Sequence, residues 1–316
     1  MDIIVNFLKI VVFGIVEGIT EWLPISSTGH MIILEQWLSV SAFTSPQFYE
    51  LFQVVIQFGA IVAVIVTFFK KLWPFGGRLS KEDKKSVWLT WLNIFIACVP
   101  AGIVGLLFDD WMNDHLYNFL TVSIALIVYG VVFIVLEVLF KKKGKEFKVR
   151  EVKDITWEMA LIIGLAQVLA LIPGTSRSGV TIIAAMIIGC SRGTSAEFSF
   201  CLSIPIMVAA SLYKGAKFIV KGYEMPTYGY YYLIVGCLVA FLVSLVVIKY
   251  FMKLLRSKSF LGFGVYRVIF GAVLLILYFT AVKDSANTNY LINTIDSLSL
   301  LNRHKGILLS NLFIMI

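Results

Sequence analysis

The chain has little charge for its length. Asp, Glu, Lys and Arg make up 15% of its 316 residues, whereas an ordinary soluble domain contains roughly 25%. Apolar residues make up 59%, and the mean hydropathy is +0.90. Apolar runs of about 20 residues recur, each long enough to cross a hydrocarbon core about 30 Å thick. This composition excludes a soluble globular, disordered or collagen-like protein and predicts an all-α polytopic membrane protein.

Cysteine is also scarce, and it forms no recognisable pattern. The four cysteines lack a C-x-x-C pair or metal-ligand spacing, which excludes a disulfide framework and a zinc site. The apolar N-terminus has neither a basic start nor a small-residue cleavage site, so we expect it to be retained. The net charge of +8 does not indicate nucleic-acid binding, because Lys and Arg lie in short clusters between apolar runs, where they set membrane topology.

Six segments are predicted to cross the membrane. They lie at about 50–69, 87–107, 119–139, 196–220, 231–250 and 262–282. Two further apolar regions are interrupted by Pro, Gly, Ser and charge, so neither is predicted to be a single transmembrane helix: 3–40 and 155–192. The predicted organisation is a single membrane domain at 1–282, with two halves at about 1–140 and 151–282. A C-terminal tail at 283–316 is predicted to be interfacial or disordered.

Basic residues between the predicted spans set the orientation. The connections at 70–85, 141–153 and 249–258 are rich in Lys and Arg and are predicted to be cytoplasmic. The connection at 107–118 carries Asp but no Lys or Arg, so we place it outside, with the N-terminus. Three lysines near an outer end fit this rule only if their side chains snorkel: Lys214, Lys217 and Lys221.

The two interrupted regions match each other without gaps at an offset of 150 residues. Gly14 corresponds to Gly164, and a Ser-x-[Thr/Ser]-Gly segment begins at Ser26 and again at Ser176. Three predicted crossings separate corresponding points, so the second copy enters the membrane from the opposite side. The sequence therefore predicts an inverted repeat in which each half is a re-entrant helical hairpin plus three transmembrane helices, with the hairpins meeting near the bilayer centre.

The first interrupted region carries the run E-G-I-T-E-W-L-P-I-S-S-T-G-H, from Glu17 to His30. Glu17 and Glu21 are four residues apart on one helix face and repel each other unless a proton or cation lies between them. Inserting a carboxylate at membrane depth costs roughly 2.5 to 3.5 kcal/mol, so the two glutamates indicate a functional site. The alternative is that they lie at a solvent-exposed end of a helix. Hydroxyls and an imidazole follow closely: Ser26, Ser27, Thr28 and His30.

The second interrupted region carries the run P-G-T-S-R-S-G-V-T, from Pro173 to Thr181. Glycines that let backbone approach a ligand and hydroxyls that donate hydrogen bonds alternate in it: Gly174, Thr175, Ser176, Ser178 and Gly179. Arg177 presents a planar fork suited to phosphate, and a helix beginning beside it would aim its positive end at the same place. The alternative is that Arg177 pairs with Glu17 or Glu21.

The two runs together supply what phosphoryl transfer with a divalent cation requires. Three nucleophiles are compatible with the spacing: a water activated by Glu21 or His30, His30 itself, and Ser27 with His30 as its base. We favour Ser27, because the turn after Pro24 places its hydroxyl at the hairpin tip. The rival functions are a polyprenyl-phosphate flippase or secondary transporter of an anion, and an anion channel, which need donors but no nucleophile.

The two runs, in this order and spacing, resemble the undecaprenyl-diphosphate phosphatase family, also called the bacitracin resistance protein. The resemblance covers about residues 1–282. It implies hydrolysis of undecaprenyl diphosphate to undecaprenyl phosphate and inorganic phosphate in the bacterial plasma membrane, with Mg²⁺ or Ca²⁺. This activity would recycle the lipid carrier for cell-wall synthesis and give bacitracin resistance.

The same resemblance implies roles for individual residues. Glu17 and Glu21 correspond to the family's acidic pair, and Arg177 corresponds to its phosphate-binding arginine. Two carboxylates beside a diphosphate require a cation, so Glu17 and Glu21 are also the predicted metal ligands. The family's hydroxyl cluster corresponds to Ser26, Ser27 and Thr28, and its histidine corresponds to His30. The partners of the arginine correspond to Ser176 and Ser178. The expected partners are the lipid substrate and membrane lipids, without nucleic acid; the oligomeric state is open, a homodimer being one candidate.

Overall fold

The computed structural model describes residues 2–38, 40, 45–76, 79–116, 118–142, 147–255 and 259–280. Within these residues the secondary structure is helical apart from one isolated bridge between Val149 and Cys190. The helices in chain order are α1 Asp2–Thr20, α2 Ser27–Trp37, α3 Pro46–Leu72, α4 Lys81–Leu116, α5 Phe119–Lys142, α6 Trp157–Gln167, α7 Arg177–Ile187, α8 Arg192–Val220, α9 Gly229–Leu255 and α10 Leu261–Thr280. Two short 3₁₀ segments flank α6: Val152–Asp154 and Val168–Leu171.

The chain forms two compact units. One spans Met1–Gly271 and contains α1 to α9 and the first part of α10. The other spans Ala272–Ile316, of which the structure describes residues 272–280, all helical. The predicted tail at 283–316 lies outside the described residues.

Seven of the described helices are long and apolar enough to cross a membrane: α1, α3, α4, α5, α8, α9 and α10. Five of them contain a predicted span in full, and α10 covers residues 262–280 of the sixth, whose last two residues lie outside the described chain, so six predicted spans are confirmed as helices over their described residues. The seventh, α1, was predicted as part of an interrupted region rather than as a span. It runs unbroken from Asp2 to Thr20 because the helix-breaking Pro24 lies beyond its end. The chain is a multi-pass membrane protein.

Small residues let the helices that carry the site pack closely against their neighbours. A Cβ atom at Gly14 in α1 would lie 2.8 Å from the carbonyl oxygen of Gly236 in α9. A Cβ atom at Gly164 in α6 would lie 2.5 Å from the carbonyl oxygen of Ala97 in α4. Helix contacts this close are possible only at glycine, and they fix α1 on α9 and α6 on α4.

The lysines that fit the loop-charge rule poorly have acidic partners in the structure. Lys214 in α8 lies 3.3 Å from a carboxylate oxygen of Glu50, and Lys217 lies 2.8 Å from one of Asp110. The hydrogen bond from Lys217 lowers the pKa of Asp110 below its ordinary value. Lys221 lines the same cleft, whose volume is about 190 Å³. These ion pairs, rather than snorkelling alone, account for lysines at this end of α8.

Candidate active site

Glu17 and Glu21 lie where α1 ends. The backbone N–H of Glu21 donates to the carbonyl of Glu17 at 3.0 Å, so the two residues keep the helical spacing and share a face, as predicted. Residues 21–25 then form a turn that leads into α2. Both side chains are buried, with exposed fractions of 1% for Glu17 and 6% for Glu21. Trp22 anchors the turn by packing edge-on against Phe200 of α8.

Two serines in a strained backbone conformation cap the N-termini of the short helices α2 and α7. Ser26 and Ser176 both have φ of 72°, in the left-handed region that a non-glycine residue rarely occupies. Each serine hydroxyl accepts from the backbone N–H three residues later, at 3.4 Å in α2 and 3.3 Å in α7. These caps make Ser27 and Arg177 the first residues of their helices, at the positive end of each helix dipole.

The turn before α2 with the start of that helix, residues 21–29, and the corresponding stretch at α7, residues 172–180, are called the two tips here, and they meet at Glu21. One of its carboxylate oxygens accepts from the Ser27 hydroxyl at 2.7 Å, and the other accepts from Arg177 Nη2 at 3.0 Å. The Ser178 hydroxyl donates to the Glu21 backbone carbonyl at 3.2 Å. Arg177 Nη1 donates to the carbonyl of Ser199 in α8 at 2.9 Å. The structure thus brings the two motifs together. It contains the ion pair between Arg177 and Glu21 that the sequence analysis gave as the alternative to phosphate binding by Arg177.

The two ring nitrogens of His30 have partners other than the Ser27 hydroxyl. Nδ1 lies 2.7 Å from the Ser26 carbonyl and Nε2 lies 2.8 Å from the Tyr266 hydroxyl of α10. A carbonyl only accepts, so Nδ1 carries a proton and Nε2 of the neutral ring accepts from Tyr266. The ring stacks on Phe270 with centroids 4.4 Å apart. The Ser27 hydroxyl donates to Glu21, and no hydrogen bond joins it to His30 among the described residues.

The remaining predicted residues lie at the same tips. Thr28 is half-buried in the first turn of α2. Gly174 has φ of +92°, and a Cβ atom there would lie 2.7 Å from the carbonyl oxygen of Val122. A Cβ atom at Gly179 would lie 2.7 Å from the ring of Phe133, so α7 also approaches α5 closely.

Several buried polar atoms at or beside the tips have no hydrogen-bond partner among the described residues. They include a carboxylate oxygen of Glu17, Nε1 of Trp22, the hydroxyl of Thr175 and Nε of Arg177. Buried polar groups in proteins are almost always paired, so these atoms are available to a ligand. They offer a carboxylate acceptor and several donors, as a phosphate accompanied by a cation would require.

A cavity of about 740 Å³ opens beside the first tip. Its lining is mostly aliphatic and aromatic and includes the polar side chains of Thr20, His30 and Tyr266. The other lining residues come from α1, the turn after it, the end of α9 and the start of α10: Val16, Ile19, Leu23, Ile25, Leu254, Ser259, Leu261, Gly262 and Phe263. An apolar chain attached to a polar group fits this combination.

Arg267 of α10 is a site residue that the two motifs do not include. Its side chain is fully buried and donates to the carbonyls of Pro24, at 3.3 Å, and Gly174, at 2.8 Å. The available signal is a charge inside the apolar run predicted at 262–282, because charged residues at membrane depth mark functional positions.

Comparison with known proteins gives consistent matches. Residues 10–273 match the bacitracin resistance protein BacA family. The chain is 49% identical over 270 residues to the undecaprenyl-diphosphatase of Enterococcus faecalis, covering 85% of this chain and 96% of that protein. It is 48% identical over 273 residues to the undecaprenyl-diphosphatase of Lachnoclostridium phytofermentans, covering 86% and 97%. It is 46% identical over 276 residues to undecaprenyl-diphosphatase 1 of Clostridioides difficile, covering 87% and 97%.

Proposed function

Because the chain belongs to the bacitracin resistance protein BacA family, we infer that it hydrolyses undecaprenyl diphosphate to undecaprenyl phosphate and inorganic phosphate. It is a multi-pass hydrolase of the bacterial plasma membrane. The reaction returns the lipid carrier to cell-wall synthesis and accounts for bacitracin resistance.

One observation carries the chemistry on this chain: Glu21 joins Ser27 on one tip to Arg177 on the other. A hydroxyl bonded to a carboxylate, beside an arginine at a helix N-terminus, is an arrangement for attack on phosphorus with stabilisation of the phosphoryl oxygens. The apolar cavity beside His30 supports a polyprenyl substrate, since it offers a wall for the lipid chain next to the polar tips.

The proposed first step is attack by Ser27. Its hydroxyl gives its proton to Glu21 and its oxygen forms a bond to the terminal phosphorus. The bond from that phosphorus to the bridging oxygen breaks, and undecaprenyl phosphate leaves with the electron pair. Arg177 and the N–H groups at the starts of α2 and α7 stabilise the charge on the phosphoryl oxygens.

Water completes the proposed cycle. It attacks the phosphoserine, one of its protons returns to the Ser27 oxygen, and inorganic phosphate leaves while Glu21 releases the first proton to solvent. A water activated by Glu21 remains the competing mechanism, because the same carboxylate could accept its proton. Direct attack by His30 is less favoured, since both ring nitrogens are engaged, with Ser26 and Tyr266.

We propose that Glu17 and Glu21 hold the predicted Mg²⁺ or Ca²⁺ ion. The residues fit: Glu17 has a buried carboxylate oxygen without a partner in the described chain, one helical turn from Glu21. No group of three or more His, Cys, Asp or Glu side chains suited to a metal occurs in the described residues, so other ligands would be phosphate oxygens and water, which Mg²⁺ commonly retains. When bound, the cation would neutralise and polarise the phosphoryl group.

We also propose that the predicted inverted repeat and its two re-entrant hairpins describe the fold. Helices α2 and α7, residues 27–37 and 177–187, lie at the offset of 150, and the serines before them share φ of 72°. The glycines paired by sequence, Gly14 and Gly164, make equivalent contacts, on α9 and α4. The repeat is not uniform, because α1 has 19 residues and α6 has 11.

Phosphate release tests the proposed function. Purified protein in detergent should convert undecaprenyl diphosphate to undecaprenyl phosphate with one inorganic phosphate per lipid, and Glu21→Gln should abolish the release. Arg192→Lys is the matched control, because Arg192 pairs with Glu137 and not with a residue of either motif. No release by the unaltered protein would exclude the phosphatase, and movement of the lipid between leaflets of a vesicle without release would favour the flippase.

A further inference from the structure

Arg267 connects the two tips through equivalent positions of the repeat. Its Nη2 donates to the carbonyl of Gly174 at 2.8 Å, and its Nη1 donates to that of Pro24 at 3.3 Å. Pro24 and Gly174 are exactly one repeat offset of 150 residues apart. Each carbonyl lies two residues before a strained serine, Ser26 or Ser176. One guanidinium therefore spans both turns immediately before the helices that begin with Ser27 and Arg177.

The surroundings of Arg267 indicate that the shape of its side chain matters more than a charge–charge interaction. The side chain is fully buried, and no ion pair joins it to a carboxylate in the described part of the chain. Its guanidinium lies over the ring of Phe133, 5.3 Å from the centroid, and that ring also packs against Gly179. A buried charge without an ionic partner is costly, so a simple packing role would be served better by an apolar residue.

We propose that Arg267 is a positioning residue that sets the spacing of the two tips for catalysis; this rests on the proposed function. The guanidinium fork holds two carbonyls at once, which the single ammonium of lysine cannot do with the same geometry. The distance between the tips decides whether Arg177 reaches Glu21, whose carboxylate also binds the Ser27 hydroxyl. Arg267 itself acts through the backbone of the tips and does not need to touch the substrate.

The test compares Arg267→Lys with Arg192→Lys; Arg192 is a partly buried arginine that pairs with Glu137 rather than with a residue of either motif. For Arg267→Lys, kcat for undecaprenyl diphosphate should fall about 100-fold with KM little changed, because small misplacements of reacting groups cost about that much. In a Ser27→Ala background the same change should have a much smaller effect, since the group it positions is absent. Arg192→Lys should retain kcat.

Hydrogen exchange gives a readout that does not depend on activity. Backbone amides at 21–29 and 172–180 should exchange faster in Arg267→Lys than in the unaltered protein, and Arg192→Lys should leave both stretches unchanged. If the unaltered protein releases no phosphate, the proposed function fails while this measurement still decides the role of Arg267. Wild-type kcat together with unchanged exchange in folded Arg267→Lys would overturn the inference.

Phe133→Leu keeps the test decisive if the lysine variant does not fold. It removes the aromatic face under the guanidinium but leaves Arg267 in place, so the tips should loosen less. We expect kcat to fall about threefold to tenfold, because the guanidinium loses one cation–π contact. Unchanged kcat and unchanged exchange at both tips in this variant would also overturn the inference.

Discussion

At the scale of single residues, the geometry of Arg177 matters more than its charge. Its two terminal nitrogens already bind in different directions, to Glu21 and to the Ser199 carbonyl, which leaves Nε buried without a partner in the described chain. A lysine keeps the charge but supplies one nitrogen. We expect Arg177→Lys to lower kcat about 10²-fold to 10³-fold. Arg192→Lys should keep its kcat in the same phosphate-release assay, and full turnover by Arg177→Lys would make Arg177 structural.

The hydroxyl of Ser27 is the predicted nucleophile, and its loss should differ in size from the loss of a donor. Ser27→Ala should reduce kcat roughly 10⁴-fold or more if the oxygen attacks. Ser178→Ala, which removes a hydroxyl from the opposite tip, should cost about 10-fold to 10³-fold. Rapid quench with labelled substrate should trap phosphoserine at Ser27. Phosphohistidine at His30 would transfer the role there, and the absence of any phosphoenzyme would favour activated water.

Glu17 should control the response to cations. Its unpartnered carboxylate oxygen lies beside Glu21, and two carboxylates next to a diphosphate require a positive charge. We expect excess chelator to abolish phosphate release and Mg²⁺ or Ca²⁺ to restore it, with Glu17→Gln needing more cation for half-maximal activity. Glu158→Gln, at an exposed position on α6, is the matched control. Full activity in chelator would contradict the metal role.

Residue types were predictable from the sequence where chemistry made them unusual. Charged side chains inside apolar runs are rare because burying a charge in the membrane costs free energy, so Glu17, Glu21 and Arg177 are identifiable as site residues. The partner of Ser27 was not, because spacing along the chain allows His30 to reach it, whereas the turn at 21–25 folds Glu21 back onto it. Arg267 belongs to a distant helix, and its two acceptors are backbone carbonyls, which have no signature in the sequence.

At the scale of helices, replacing a glycine at a close helix contact should lower the stability of the fold. A Cβ atom in Gly164→Ala would meet the Ala97 carbonyl of α4 at 2.5 Å, so the helices must separate. We expect Gly164→Ala to destabilise the fold by about 1 to 3 kcal/mol. Gly102→Ala in α4 is the matched control, because its Cβ atom would meet nothing within 4 Å and alanine favours the helix. Equal thermal midpoints for the two variants in one detergent would contradict this packing.

The helices themselves were largely predictable, because hydropathy over about 20 residues depends on composition alone. The predicted spans are helices throughout their described residues. Helix α1 shows the limit of that reasoning: the motif that follows it made the whole region at 3–40 look interrupted, although residues 3–20 are apolar enough to cross a membrane. The pairing of α1 with α9 and of α6 with α4 depends on which glycines face which backbone. Such contacts join residues far apart in the sequence, so local patterns do not predict them.

At the scale of the whole molecule, the proposed inversion depends on which loops face the cytoplasm. The loop-charge rule places 107–118 outside and 141–153 inside, and α5, which is long enough to cross, connects them. His115 and Lys148 are exposed residues on either side of α5. They are therefore suitable positions for a test of orientation that perturbs neither helix packing nor the tips.

Cysteines at these two positions should react differently with a membrane-impermeant thiol reagent. In intact cells His115→Cys should be labelled and Lys148→Cys should not, while both should be labelled after the membrane is made permeable. The unaltered chain is the control, since its four cysteines are free but buried or half-buried. Equal labelling of both variants in intact cells would contradict the orientation. It would also contradict the inverted repeat, because without an odd number of crossings between the halves the two hairpins would enter the membrane from the same side.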